Sequence, residues 1–188
     1  MSTAPRIAEL TRGHRARLAE ILVATNVFRD EEIGVALELF DETFPHDGTP
    51  GHDTAVVSTS PASSSDYAFL GAFTPEDELV GYACYGPTPA TDGTFDLYWI
   101  AVHPAGQSSG SGTTLLAEVE RRIAGHDGRL LVVETSSRSD YQATRGFYAA
   151  RGYAEVARVA DFYAPADDRI ILTKRLQAAR DGRGASSR

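Results

Sequence analysis

Between residues 107 and 113 the chain reads Gln107-Ser108-Ser109-Gly110-Ser111-Gly112-Thr113, a run of small side chains that opens a helical pattern directly after a strand pattern. The first N–H groups of a helix have no carbonyl one turn earlier to bind, and the aligned peptide dipoles place partial positive charge there. Small side chains let an anion approach those N–H groups closely, and serine and threonine hydroxyls add donors, so the segment suits a diphosphate. A P-loop would need Gly-Lys-Ser/Thr, and the one lysine of the chain, Lys174, lies far downstream. A dinucleotide fingerprint would need a parallel βαβ unit ahead of it, whereas the strands before Gln107 read as a meander. Other residues with chemistry to offer are the carboxylates Asp96 and Glu134 and the phenols Tyr141 and Tyr148. His103 reads as a turn residue and Cys84 as an inert core thiol.

The elements that must hold these residues alternate between helix and strand patterns. A short strand at 7–10 precedes Thr11, a helix cap, and Leu18, Ile21 and Leu22 then recur at helical spacing. A second helix begins near Asp30 with Ile33, Leu37 and Phe40 on one face, and ends before Pro45. Residues 46–65, rich in Gly, Pro, Ser and Thr, read as a long loop with at most a short piece of structure at 55–57. Three antiparallel strands follow, at 67–73, 79–86 and 94–102, joined by turns at 74–78 and 87–93. On the third, alternation sets Asp96, Tyr98, Ile100 and Val102 on one face and Leu97, Trp99 and Ala101 on the other. The segment 103–106 breaks that strand, and 113–123 is helical with Leu115, Leu116, Val119 and Ile123 inward. The continuous apolar run 130–133 predicts a strand buried on both faces. Ser139 and Gln142 form a capping-box pair opening a helix that runs to about Arg151 and stops at Gly152. That helix carries Tyr141, Thr144 and Tyr148 at i, i+3 and i+7, on one face. Strands at 153–159 and 169–176 close the chain around a loop at 161–168, and 177–188 reads as a solvated tail.

With Val102 five residues before Gln107, the Gln-x-x-Gly-x-Gly loop after an antiparallel strand resembles the acyl-CoA loop of the GNAT acetyltransferase superfamily. The resemblance extends to 130–135, similar to the fifth strand of that family. It also covers Thr144-Arg145-Gly146-Phe147-Tyr148-Ala149-Ala150-Arg151-Gly152-Tyr153, similar to the family's last helix and its Phe-Tyr…Gly-Tyr ending. Two departures stand out. Ser108, Ser109 and Ser111 occupy places where Gly, a basic residue and an aliphatic are usual, and Tyr141 stands where many members carry Asn. The resemblance implies an α/β (α+β) fold: a single domain over 1–176 with a central mixed, mostly antiparallel twisted sheet, flanked by helices and splayed between its fourth and fifth strands. It further implies direct attack of an amine on acetyl-CoA in a ternary complex. Backbone N–H groups of Ile100, Ala101 and Val102 would meet the thioester and pantetheine. Gln107, Ser108, Ser109, Gly110, Ser111, Gly112 and Thr113 would hold the diphosphate, and Tyr141 would touch the cofactor. Tyr148 would be the acid for the departing thiolate. Asp96 or Glu134 would take the amine proton, directly or through water.

Composition narrows the partners. Hydrophobic residues at 42% and charged residues at 23% match a folded domain rather than a disordered chain. A formal net charge of −8 argues against nucleic acid as the main partner. No apolar run approaches a membrane span or a signal peptide, which points to a cytoplasmic protein without a membrane partner. One cysteine excludes an internal disulfide and any multi-cysteine metal site, and no metal is expected. Acidic residues around 30–53 suit a cationic small-molecule amine as acceptor, with Phe28, Phe44, Phe162 and Tyr163 as apolar walls. A homodimer is compatible with all of this. Two other readings stay open: a non-catalytic acyl-CoA-binding regulatory domain, and a protein lysine or N-terminal acetyltransferase.

Overall fold

The computed structural model describes residues 4–45, 66–107 and 109–177. The loop read at 46–65 and residues 178–188 of the tail lie outside them. The chain forms β1 (Arg6–Glu9), α1 (Arg15–Thr25), α2 (Asp30–Thr43), β2 (Ala68–Phe73), β3 (Leu79–Pro87), β4 (Thr94–Val102), α3 (Ser111–Gly125), β5 (Leu130–Ser136), α4 (Gln142–Ala149), β6 (Ala154–Ala164) and β7 (Asp167–Arg175). The strands make one mixed sheet in the order β1-β2-β3-β4-β5-β7-β6, flanked by helices, as the fold-class expectation required. Within the chain two compact units stand out: Met1–Pro87 with Leu97–Ala117, and Thr88–Asp96 with Glu118–Arg188. No helix among the described residues is long and apolar enough to cross a membrane.

In the first unit, Thr11 and His14 hold a one-turn 3-10 segment ahead of α1, the Thr11 N–H donating to His14 Nδ1 at 2.9 Å. Leu18, Ile21 and Leu22 bury the inward stripe of α1, and Asn26 in the left-handed region ends it. The α2 helix opens with Asp30, Glu31 and Glu32, acids that its N-terminal dipole favours, and the Glu32 carboxylate accepts the Arg29 N–H at 2.7 Å. It stops at Phe44 because Pro45 disfavours helical geometry before it. Phe40 then meets Phe69 of β2 edge to face at 5.1 Å, and Tyr82, Cys84 and Trp99 join the same apolar core. The β2–β3 hairpin closes through Thr74 and Glu78, whose backbone bond is 2.9 Å.

In the second unit, three sequence expectations are corrected. The strand β5 alternates instead of burying both faces: Leu131 and Val133 are buried, Leu130 and Val132 half-buried. Ser139 does not cap a helix. The Gln142 N–H donates to the Ser139 carbonyl, closing a 3-10 turn at Ser139–Tyr141, and α4 starts only at Gln142. The Arg145 guanidinium reaches back to the Ser136 and Arg138 carbonyls at 2.7 and 2.9 Å and holds that turn in place. The loop expected at 161–168 is mostly strand, because carboxylates complete the ladder: Asp161 N–H donates to Asp168 Oδ1 at 3.1 Å, and Ala166 N–H to Asp161 Oδ1 at 2.6 Å. Asp161 and Ala166 take left-handed φ of 52° and 63° to allow it. α4 ends at Ala149, about two residues before the expected stop, and Gly152 at φ 84° closes the turn that follows, with Gly152 and Tyr153 N–H groups donating to the Ala149 and Tyr148 carbonyls. Against β7, Glu120 of α3 binds Lys174 Nζ at 2.6 Å and the Tyr153 hydroxyl at 3.0 Å.

Candidate active site

The β4–α3 connection belongs to the first unit. His103 N–H donates to the Val80 carbonyl at 2.8 Å, and Pro104, which has no N–H to offer a ladder, starts a 3-10 turn over Pro104–Gly106. Gly106 is buried there, and a Cβ on it would sit 3.1 Å from Val80 Cβ. The Gln107 side-chain amide donates to the Val102 carbonyl at 3.2 Å, so it caps the end of β4. Ser108 lies outside the described residues. Ser109 turns inward, its hydroxyl donating to the Gly106 carbonyl at 2.6 Å and meeting Ser111 Oγ at 2.7 Å.

Gly110 takes φ 85°, and nothing lies within 4 Å of where its Cβ would be. Its carbonyl accepts the Thr114 N–H at 2.9 Å, the first bond of α3. The helix thus begins at Ser111, two residues earlier than the sequence pattern suggested, and Ser111, Gly112 and Thr113 form its first turn. Ser111, expected to offer its hydroxyl outward, is only 2% exposed and spends that hydroxyl on Ser109. What this loop can present to an anion is therefore backbone N–H at a helix N-terminus beside an open glycine. On β4, Ala101 is buried and Ile100 and Val102 are half-buried.

The three proton-carrying candidates belong to the second unit. Asp96 is half-buried, and its Oδ2 accepts the Thr88 hydroxyl at 2.7 Å across the turn before β4. Glu134 is exposed on β5 and ion-paired with Arg169, whose guanidinium lies 4.8 Å from the Phe162 ring centroid. Tyr148 is 3% exposed, with its ring edge-on to Phe147 and Tyr153 at 5.3 and 5.2 Å. Burial pushes its phenol above the ordinary value, so it keeps its proton throughout the neutral range. Tyr141 is buried too, under the Arg138 guanidinium at 5.5 Å, and forms the N-cap of α4 rather than part of it. Thr88 and Arg169, the partners of the two carboxylates, were not singled out from the sequence. A threonine opening the turn before β4 was the available signal for the first; the second depends on β5–β7 register. Cys84 is fully buried and its thiol is pushed up by that burial, which makes it a poor nucleophile. No cluster of three or more metal-ligating side chains occurs among the described residues.

Residues 66–155 match the acetyltransferase (GNAT) domain. A GNAT-family protein of Desulfovibrio desulfuricans is 38% identical, aligned over 93% of this chain and 100% of that one, with a TM-score of 0.79. Two others share the fold at lower identity. The Escherichia coli ribosomal-protein-S18-alanine N-acetyltransferase is 15% identical over 95% of this chain and 97% of that one, TM-score 0.66. An aminoglycoside 6′-N-acetyltransferase complexed with coenzyme A is 17% identical over 94% of this chain and 99% of that one, TM-score 0.65. No protein of curated function matches the chain in sequence. The strand–loop–helix segment and these likenesses define an acyltransferase. Within that class, the chain belongs to the GNAT family of acetyltransferases.

Proposed function

We propose that this protein transfers the acetyl group of acetyl-CoA to the primary amine of a small molecule, by direct attack in a ternary complex. The observation that carries the reading is Gly110: a left-handed residue with open space where a side chain would be, immediately before the N-terminus of α3. A diphosphate fits that opening, because Ser109 and Ser111 direct their hydroxyls into the loop and leave the backbone accessible. Acetyl-CoA, when bound, supplies an acyl group already activated as a thioester.

The residues of the chain then divide the remaining work. Ser111, Gly112 and Thr113 hold the diphosphate through the backbone N–H groups of the first turn of α3, and Gln107, Ser108, Ser109 and Gly110 form the loop that borders it. The Gln107 and Ser109 N–H groups themselves donate to carbonyls of the turn before. Backbone N–H groups of Ile100, Ala101 and Val102 polarise the thioester carbonyl and hold the pantetheine arm. An alkylammonium has an ordinary pKa of about 10.4, so the nucleophile must lose a proton to a carboxylate or a water it orients. Asp96 is the less committed base of the two, since its Oδ2 accepts a neutral hydroxyl, that of Thr88, whereas Glu134 already shares its charge with Arg169. The Tyr148 phenol gives its proton to the departing sulfur, and Tyr141 contacts the cofactor. Transfer through an acyl-cysteine is disfavoured by the burial of Cys84. Asp30, Glu31, Glu38 and Glu42, all exposed on α2, favour a cationic acceptor. One domain over residues 1–176, with a tail over 177–188, working in the cytoplasm as a homodimer, completes the reading.

Isothermal titration with CoA tests the cradle. Binding is expected for the unmodified chain, and Gly110→Glu should weaken it more than about a hundredfold by setting bulk and like charge beside the diphosphate. Unchanged affinity in a variant that still unfolds cooperatively would sink the assignment. CoA release over a panel of amines, peptides and lysine-bearing proteins separates a small-molecule enzyme from a protein acetyltransferase. Binding without turnover on any of them would leave a regulatory CoA sensor.

A further inference from the structure

Strand β6 is exposed at every residue from Ala154 to Tyr163, and it ends the sheet with β7 as its neighbour. The unpaired N–H and C=O groups of a long edge strand invite another strand, and proteins usually blunt such edges with charged side chains, proline, a bulge or a covering helix. β6 has no lysine or proline, and its charges are Glu155, Arg158 and Asp161. Of the six large hydrophobic side chains most exposed among the described residues, four lie on it: Val156 at 57%, Val159 at 45%, Phe162 at 50% and Tyr163 at 39%. Apolar groups gathered in this way mark an association surface rather than scatter.

The charges on β6 say what fits it. Glu155 lies opposite Leu172, Ala157 opposite Ile171 and Arg158 opposite Ile170, which leaves Val156 as the extra residue of a β-bulge. The bulge brings Glu155 and Arg158 onto one face, where they bond at 3.0 Å, and the Arg158 guanidinium also bonds Asp168 of β7 at 2.9 Å. Read backwards, Glu-Val-Ala-Arg becomes Arg-Ala-Val-Glu, so the charge order is its own complement under a two-fold axis passing between Val156 and Ala157. About that axis Glu155 of one copy faces Arg158 of the other, twice over, and Ala154 faces Val159. A partner of different sequence would have no reason to match this palindrome.

We propose that β6 is the surface on which two copies of this chain pair antiparallel, with Glu155 and Arg158 setting the register and Val156 and Val159 supplying the apolar contact. This locates the homodimer without depending on the acetyl-transfer reading, so a monomeric but active enzyme would overturn it and leave the chemistry standing.

Sedimentation velocity on the full chain gives the test. The unmodified protein is expected at twice the chain mass. Glu155→Arg alone and Arg158→Glu alone set like charges against each other across the axis and should each weaken pairing more than about tenfold, giving monomers. An equal mixture of the two variants restores opposite charges at both contacts and should return to the dimer mass. A monomeric unmodified protein, a variant that dimerises by itself as well as the parent, or a mixture that stays monomeric would each overturn the proposal. Thermal unfolding of each variant reports that these exposed substitutions leave the fold intact.

Discussion

Tyr148 packs its ring between Phe147 and Tyr153, and the same burial that fixes the ring holds its proton. Removing the hydroxyl while keeping the ring, as in Tyr148→Phe, should lower kcat by about a hundredfold or more, the usual share of a general acid. The CoA dissociation constant should stay within a factor of two or three. Because the folded phenol titrates above its ordinary value, its protonated form persists as pH rises, and kcat measured from pH 7 to 10 should show no alkaline fall in which Tyr148 ionises. Stability follows the same sign. The contribution of the buried neutral phenol is complete below the unfolded pKa of about 10 and is lost as pH climbs toward the raised folded value. The seven-residue spacing of Tyr141 and Tyr148 suggested one shared helical face, but Tyr141 lies in the 3-10 turn ahead of α4, so that spacing does not fix the direction of Tyr148. The inward hydroxyl of Ser111 and the Arg169 partner of Glu134 were not legible either. One depends on a side-chain rotamer, and the other on how two strands distant in sequence align.

Glu118 lies on the outer half of α3 and accepts Arg121 at 2.7 Å and Arg122 at 2.9 Å, three and four residues on. Hydrogen bonds from Arg121 and then Arg122 pull its carboxyl down to about 2, against a burial cost that opposes them. A carboxylate depressed on folding stabilises the native state above its unfolded pKa, and that contribution drains away as pH falls from about 4.5 toward 2. Glu118→Gln should therefore flatten the loss of Tm over that acid range, and an unaltered slope in differential scanning calorimetry would remove the helix from the list of acid-sensitive elements. At the β6–β7 tip, Ala166 is held at φ 63°, where its Cβ is strained. Ala166→Gly should stabilise the protein by about 0.5–1 kcal/mol in chemical denaturation, the relieved strain exceeding the added freedom of the unfolded chain. That tip shows why the sequence misled: Asp-rich composition reads as solvent-exposed loop, yet Asp161 and Asp168 here stand in for ladder partners. Similarly, Ser139 and Gln142 have capping-box spacing, but the Ser139 carbonyl takes the Gln142 N–H before the side chain can. The apolar stripes of α1 and α3 were plain, since every one of Leu18, Ile21, Leu22, Leu115, Leu116, Val119 and Ile123 is buried.

Across the whole molecule, the alternation of helix and strand patterns gave the element order, and the family's likeness gave the sheet. The acidic balance, −8, is carried by a chain in which arginine supplies every basic side chain except one. That exception is Lys174, whose ammonium sits on Glu120 with the Tyr153 hydroxyl beside it. Guanidinium groups stay protonated and do not compete for acyl groups at neutral pH. With the thioester donor proposed above, such an acyltransferase would have left itself almost nothing to modify by accident. Its lone side-chain amine is committed to a carboxylate, so stray acylation of its own surface has nowhere easy to begin.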